Sequence, residues 1–303
     1  ANLIALKHNP TSVELMDKAI LDLTKENFTQ RRNRFFVEGD PAAIMIVEIW
    51  GDDKNEIIKK AKKIEEELKD NGYGYAFPLI FGPDMNKVWA LRKAGLGVLS
   101  NMVGDAKPVA VIEDTAIRPA DLANFIEDLN KELENLNLSC VYYGHLATGE
   151  LHLRPVLNLK SSNDIKRFRT IAEKTAELVK KYRGSLSGEH GDGRLRGEFI
   201  PIVFGEEIYS IFKEIKQNWD PNNIFNPGKI VDSPPMDSSL RYIPDRSTPN
   251  ITTYYDFSDE LGMIRGIEKC NVSADCHKLH WATCFMCPSY QASLDEKNST
   301  RAR

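Results

Sequence analysis

The stretch Leu138-Ser139-Cys140-Val141-Tyr142-Tyr143-Gly144-His145-Leu146-Ala147-Thr148-Gly149-Glu150-Leu151-His152-Leu153-Arg154-Pro155-Val156-Leu157 reads as two β-strands joined by a glycine-containing loop. Apolar residues fill residues 138–143 and 151–157, and the loop carries two histidines seven positions apart. His145 and His152 lie near the strand ends, so both rings can face one cavity mouth. Side chains alternate along a strand, so Arg154 leaves the same face as His152.

Working outward, residues 43–50 read as an apolar, β-branched strand after the turn Gly39-Asp40-Pro41, and residues 108–113 read as another. Residues 1–6 look like the stump of a strand, so the chain is expected to be a piece of a longer protein. Helices are expected over residues 56–70, with Ile57, Ala61, Ile64 and Leu68 at helical spacing, and through Leu122, Phe125, Ile126, Leu129 and Leu133. Two more are expected, from about residue 163 to Gly184 and over residues 206–219, the last stopped by Asp220-Pro221. Two β-α-β-like halves of this kind predict an α+β fold: a ferredoxin-like antiparallel sheet with helices on one face.

A second segment, Ser187-Gly188-Glu189-His190-Gly191-Asp192-Gly193, completes a chemical inventory. Two neutral imidazoles and a carboxylate with an open position form a common divalent metal site, which points to His145, His152 and Glu189. His190 is then free to move protons beside the metal. The flanking Gly184, Gly188, Gly191 and Gly193 let backbone approach a ligand closely. Buried, hydrogen-bonded structural histidines are the competing reading. Arg92 offers a planar fork suited to a carboxylate, Lys107 stands beyond the glycine-rich stretch after it, and Arg194 and Arg196 could serve either structure or substrate. Asn226-Pro227-Gly228-Lys229 is, by itself, a common turn.

Of 303 residues, 42% are hydrophobic and 28% charged, as in an ordinary soluble protein of one or two domains. A net charge of -4 gives no reason to expect nucleic acid. No apolar run is long enough to span a bilayer, and nothing at the start reads as a signal peptide. Cys140 lies in an apolar run and reads as a small buried hydrophobe. Cys270, Cys276, Cys284 and Cys287 crowd into 18 residues, which favours metal or cluster ligation over disulfides. A Cys-x2-Cys-Pro ending echoes iron–sulfur ligand runs without their standard spacing, and His277 and His280 keep a zinc knuckle as the alternative.

Together, Gly39-Asp40-Pro41, Trp89 to Lys93, the two histidine-bearing segments, Asn226 to Lys229 and Met286-Cys287-Pro288-Ser289-Tyr290 resemble the C-terminal, substrate-side half of FAD-linked oxidases of the vanillyl-alcohol oxidase type. The order matches the subfamily in which a glycolate-oxidase-like flavoprotein is fused to a dicluster iron–sulfur module, a group that includes D-2-hydroxyglutarate and D-lactate dehydrogenases. The resemblance implies a zinc, manganese or iron ion on His145, His152 and Glu189, with His190 as catalytic base. It implies Arg92 and Lys107 as substrate-binding residues and Asn226 as a cofactor-binding residue, while Arg154 is expected to contact the substrate because it shares the His152 face. Arg154 departs from the Asn of simpler 2-hydroxyglutarate dehydrogenases, and Glu150 replaces another Asn. Cys270, Cys276, Cys284 and Cys287 are implied iron–sulfur ligands of a 4Fe-4S type cluster.

The organisation so implied is a substrate domain over residues 1–231, a Pro-rich linker over 232–258 and the truncated start of a 4Fe-4S domain over 259–303. The implied activity is oxidation of a D-2-hydroxy acid, of D-2-hydroxyglutarate or D-lactate type, to the 2-oxo acid, by metal-assisted hydride transfer to FAD. No stretch resembles the FAD-binding domain, so the chain alone is expected to be inactive. The expected partners are a small 2-hydroxy acid, an unnamed electron acceptor and a second copy in a homodimer. The expected location is cytoplasmic, peripheral to the inner membrane through that acceptor. The reading from another class is a non-catalytic metal-binding interaction module with a zinc knuckle.

Overall fold

The computed structural model describes residues 1–270, 274–278 and 287–299. It divides into two compact units, one of residues 1–99 with 105–247 and one of residues 100–104 with 248–303. No helix among the described residues is long and apolar enough to cross a membrane.

The first unit is built on strands β1 (Ser12–Asp17), β2 (Ala43–Glu48), β3 (Lys107–Pro108), β4 (Thr115–Ala116), β5 (Cys140–His145) and β6 (Glu150–Leu157). They pair antiparallel in the order β2-β1-β5-β6-β3, and β4 also pairs with β6. The helices are α1 (Asn2–Leu6), α2 (Lys18–Glu26), α3 (Lys54–Asp70), α4 (Asp84–Lys93), α5 (Gly95–Ser100), α6 (Leu122–Asn135), α7 (Ser162–Lys181), α8 (Ile200–Phe204) and α9 (Glu206–Trp219). Helices α3, α6, α7 and α9 lie where apolar spacing predicts them. Residues 1–6 do not form a strand: Asn2–Leu6 is a helical turn that buries Ile4 and Ala5. Strand β1, unforeseen from sequence, lies inside the sheet between β2 and β5. Asp17 caps α2 by accepting the Ile20 amide (3.1 Å) and ties β1 to β5 by accepting the Tyr142 amide (2.8 Å).

One face of the sheet, with Val13, Leu151, Leu153 and Leu157, packs on Phe125, Leu129 and Leu133 of α6 and on Phe168, Ile171, Ala176 and Val179 of α7. Each of these fully buried side chains larger than alanine contributes roughly 1.5–3 kcal/mol. The α+β antiparallel class stands, but helices also cover part of the other face. There Met16, Val141 and Tyr143 pack with Ile20 and Leu21 of α2, Leu91 of α4, and Val98 and Leu99 of α5. The remainder of that face is polar and carries Glu14, His145, Glu150, His152 and Arg154.

The strand expected over residues 108–113 is interrupted. Seven steps from Pro108 to Thr115 face only five from Val156 to Leu151, so the chain bulges away from β6. Val111 and Ile112 still enter the core, at 2% exposure each. The bulge ends at Asp114, at a positive φ of 74°, and the Glu113 carboxylate just before it meets Arg154 of the polar face. Past α9, Met236 is buried in the α6–α7 core, and Arg169 holds Asp237 and Glu198 beside it. Residues just past 231 are therefore docked on the first unit.

Candidate metal centre

The β5–β6 loop returns within four residues because Gly149 adopts φ 77° against the Ile117 backbone. A Cβ there would lie 1.7 Å from the Ile117 carbonyl oxygen, so only glycine fits. The tight return sets His145 opposite Glu150 and Tyr143 opposite His152.

Glu189 and His190 arrive on a loop moulded around Asp114, which is wholly buried. Its carboxylate accepts the amides of Gly188 (3.1 Å), Glu189 (2.8 Å) and His190 (2.9 Å) and the Ser187 hydroxyl. Burial alone would raise this carboxyl, but the Ser187 hydroxyl, the Glu189 amide, the Glu150 carboxyl and the His190 amide prevail and hold it at about 2. Arg196, also buried, donates to the Glu113 carbonyl (2.5 Å) and the Gly191 carbonyl (2.6 Å), closing the loop from below. Arg194 instead lies at the surface against Ser238 (3.3 Å).

Ligand atoms of His145, Glu150, His152 and Glu189 all lie within 4.8 Å of one another. The Nε2 atoms of His145 and His152 stand 3.6 and 3.7 Å from the same Glu189 oxygen. His145 Nδ1 is paired with Glu14 (2.8 Å), which leaves Nε2 for a metal; this is the orienting carboxylate usual behind such ligands. His152 is 5% exposed, and its Nδ1 makes no hydrogen bond, its nearest carboxylate being Glu113 at 3.8 Å. Burial, followed by the neighbouring His145, Arg92 and His190, pushes its ring down to about 3, so it is neutral and ready to ligate. Burial, then Asp114 and Glu189, pushes Glu150 up to about 7.

His190 stacks on His152 (centroids 5.3 Å apart, planes 14° apart) and is half exposed. Its Nε2 lies 3.3 Å from Glu189, and its Nδ1 lies 3.9 Å from both Glu113 and Asp114. Arg92 pairs with Glu14 through Nε (3.0 Å) and Nη2 (2.9 Å) and lies over the Tyr143 ring. Arg154 shares the His152 face, donates to the Tyr143 hydroxyl (2.9 Å) and pairs with Glu113. The fold thus gathers His145, His152, Glu189, His190, Arg92 and Arg154. A donor set of two imidazoles and carboxylates, with orphaned buried atoms on His152 and Glu150, fits a divalent cation.

Other expected site residues lie elsewhere. Lys107 pairs with Leu157, five residues along β6 from His152, or about 16 Å at strand rise. Asn226 is exposed in the turn after α9, at φ 48°. In the second unit Cys270 is exposed, Cys276 half-buried, and Cys287 buried with Sγ 3.4 Å from Ser289 Oγ. Cys284 and His280 lie outside the described residues. Among the described residues no three ligand-type side chains of that unit converge on one point. Burial pushes the Cys140 thiol up to about 12, consistent with an inert packing residue.

Sequence reasoning missed Glu14, Glu113 and Asp114. The alternation of Val13 and Leu15 around Glu14 was a strand signal that could have placed its carboxylate on the polar face. Glu113 and Asp114 gave no such signal, because the bulge that aims them is a register effect.

The sequence model of the family described as FAD linked oxidases, C-terminal domain, matches residues 1–230. A D-2-hydroxyglutarate dehydrogenase from Haemophilus influenzae is 32% identical over 98% of this chain, covering 30% of its own length. A second, from Pseudomonas putida, is 30% identical over 98% of the chain and 30% of its own length. The glycolate oxidase subunit GlcD of Bacillus subtilis is 26% identical over 76% of the chain and 47% of its own length. The chain spans less than half the length of these curated relatives.

Proposed function

This chain belongs to the C-terminal-domain family of FAD-linked oxidases, and on that premise we propose that it is the substrate-side part of an FAD-dependent dehydrogenase that oxidises a D-2-hydroxy acid to the 2-oxo acid. The substrate class follows the activities for which the relatives are named, D-2-hydroxyglutarate dehydrogenase and D-lactate dehydrogenase among them.

One observation carries the reading: a half-exposed imidazole, His190, is stacked against a buried ligand-type imidazole, His152, beside Glu189 and His145. A purely structural metal site has no use for a titratable ring held at its open side.

His145, His152 and Glu189 would hold a divalent cation, whose chemistry there is Lewis acidity toward a hydroxyl oxygen, while FAD supplies electron acceptance when bound. His190 takes the proton of the substrate 2-hydroxyl. Its stacking on His152, together with the Asp114 carboxylate that accepts its backbone amide, holds the ring beside that proton. Arg92 and Arg154, each tied to a buried glutamate and to Tyr143, keep cationic charge on the face where a substrate carboxylate would sit. The run Cys270, Cys276, Cys284 and Cys287 remains an iron–sulfur reading carried by the crowding of its cysteines and the family resemblance, and no step of this chemistry passes through it.

The test is metal analysis of the FAD-loaded enzyme together with its turnover of D-lactate, D-2-hydroxyglutarate and glycolate with an artificial electron acceptor. Bound divalent metal, and turnover of a D-2-hydroxy acid lost in His152→Ala together with that metal, are the expected results. Full turnover by a metal-free His152→Ala protein would overturn the reading.

A further inference from the structure

We propose that Glu150 is a fourth protein ligand, which makes the centre a two-histidine, two-carboxylate site rather than a two-histidine, one-carboxylate one. This rests on the metal reading above and concerns a residue that departs from the Asn of the related pattern.

Three features place Glu150 there. It stands directly across the β5–β6 ladder from His145, and one of its oxygens falls within 4.8 Å of the ligand atoms of His145, His152 and Glu189. It is 7% exposed, and Oε1 is buried without a hydrogen-bond partner. Nearly all buried carboxylate oxygens are partnered, so an unpartnered oxygen on a buried carboxylate that belongs to this donor cluster is one that a cation would satisfy, even with the Asp114 side chain beside the same carboxyl. The fold also reserves the space. A Cβ on Gly188 would lie 2.8 Å from the Glu150 carboxyl carbon and from Oε2, and the Gly188 amide is anchored on the Asp114 carbonyl (2.7 Å). Glycine at 188 therefore lets the Glu150 carboxylate lie against the loop that delivers Glu189.

Two carboxylates neutralise a divalent cation, and oxygen donors suit manganese better than an imidazole-dominated set does. The centre should accordingly retain Mn2+. The experiment strips the full chain with a chelator and titrates it with Mn2+. Free Mn2+ is followed by electron paramagnetic resonance, and exchangeable bound water by water-proton relaxation. Glu150→Gln should weaken Mn2+ by at least about tenfold, the lower end of what loss of even an outer partner costs. It should also add a water to the bound ion. Weaker binding with an unchanged water number would reduce Glu150 to a through-space charge and overturn the proposal, as would unchanged affinity. Should Glu150→Gln fail to fold, Glu150→Asp keeps the charge but withdraws it by one methylene, and unchanged Mn2+ affinity there overturns the proposal equally. If the wild-type chain binds neither Mn2+ nor Zn2+, the three-ligand reading fails and this one with it. If the wild type binds metal and only the Glu150 variants behave as wild type, this proposal alone fails.

Discussion

Asp114 accepts the backbone amide of His190 at 2.9 Å, so a buried carboxylate 76 residues away in sequence sets where the candidate base stands. The same side chain accepts the amides of Gly188 and Glu189, which couples the position of the candidate base to that of the candidate metal ligand Glu189.

Replacing Asp114 by Ala should therefore act on stability and metal binding together. It leaves the half-buried Glu189 and His190 amides and the Ser187 hydroxyl without their shared acceptor, an expected loss of roughly 1–3 kcal/mol in urea unfolding. Metal affinity should fall in parallel, because Glu189 loses its backbone anchor. Wild-type stability and wild-type metal affinity in Asp114→Ala would show the loop to be held by something else.

The Asp114 carboxyl is held at about 2 in the folded chain against 3.8 ordinarily, so its contribution to stability has a defined sign with pH. A depressed carboxyl stabilises the fold above its unfolded value, and that stabilisation drains away as pH falls from 3.8 toward 2. In metal-free protein, the stability gap between wild type and Asp114→Asn should be constant above that window and shrink within it. A gap that widens on acidification would contradict the assignment.

His190→Asn should lower kcat of the FAD-loaded enzyme by about 10²–10⁴-fold, the usual contribution of a positioned base, with substrate affinity within a few-fold of wild type. A base acts in the transition state, so its loss belongs in kcat. A variant with unchanged kcat and weakened affinity would recast His190 as a binding residue.

Glu14→Gln tests the support behind His145. The carboxylate fixes which ring nitrogen carries the proton and also pairs with buried Arg92. Metal affinity should fall by about 10–100-fold, as for other outer partners of histidine ligands. Calorimetric titration of the metal-free chain with Zn2+ measures this directly, and an unchanged affinity counts against His145 as a ligand oriented by Glu14.

Gly149→Ala should prevent the hairpin from closing, since the added Cβ would overlap the Ile117 carbonyl at 1.7 Å and φ is 77°. Thermal unfolding should show a large loss of stability, above about 3 kcal/mol. Wild-type thermal stability would mean that the loop has another route.

Much of the frame was legible because it is written locally. Helical spacing in α3, α6, α7 and α9, alternation in β6 and the glycine in its loop depend on residues within a few positions of one another, and these placed His145, His152 and Arg154 on the right elements. The Ser187–Gly193 loop was legible as chemistry, through residue types, though not as geometry.

What the sequence determined by itself, then, was the α+β layering, the hairpin and the inventory of candidate ligands, because short-range periodicity decides which faces are apolar. Only the tertiary structure decided what stands behind those ligands. Glu14 meets His145 across 131 positions, and Asp114 meets Glu189 across 75. A two-residue register change between β3 and β4 turned an expected strand into the bulge that aims Glu113 and Asp114, while the pairing of β3 with the far end of β6 carried Lys107 away from the cluster. Register and long-range pairing are set by the packing of the whole sheet, and no local window of sequence contains them.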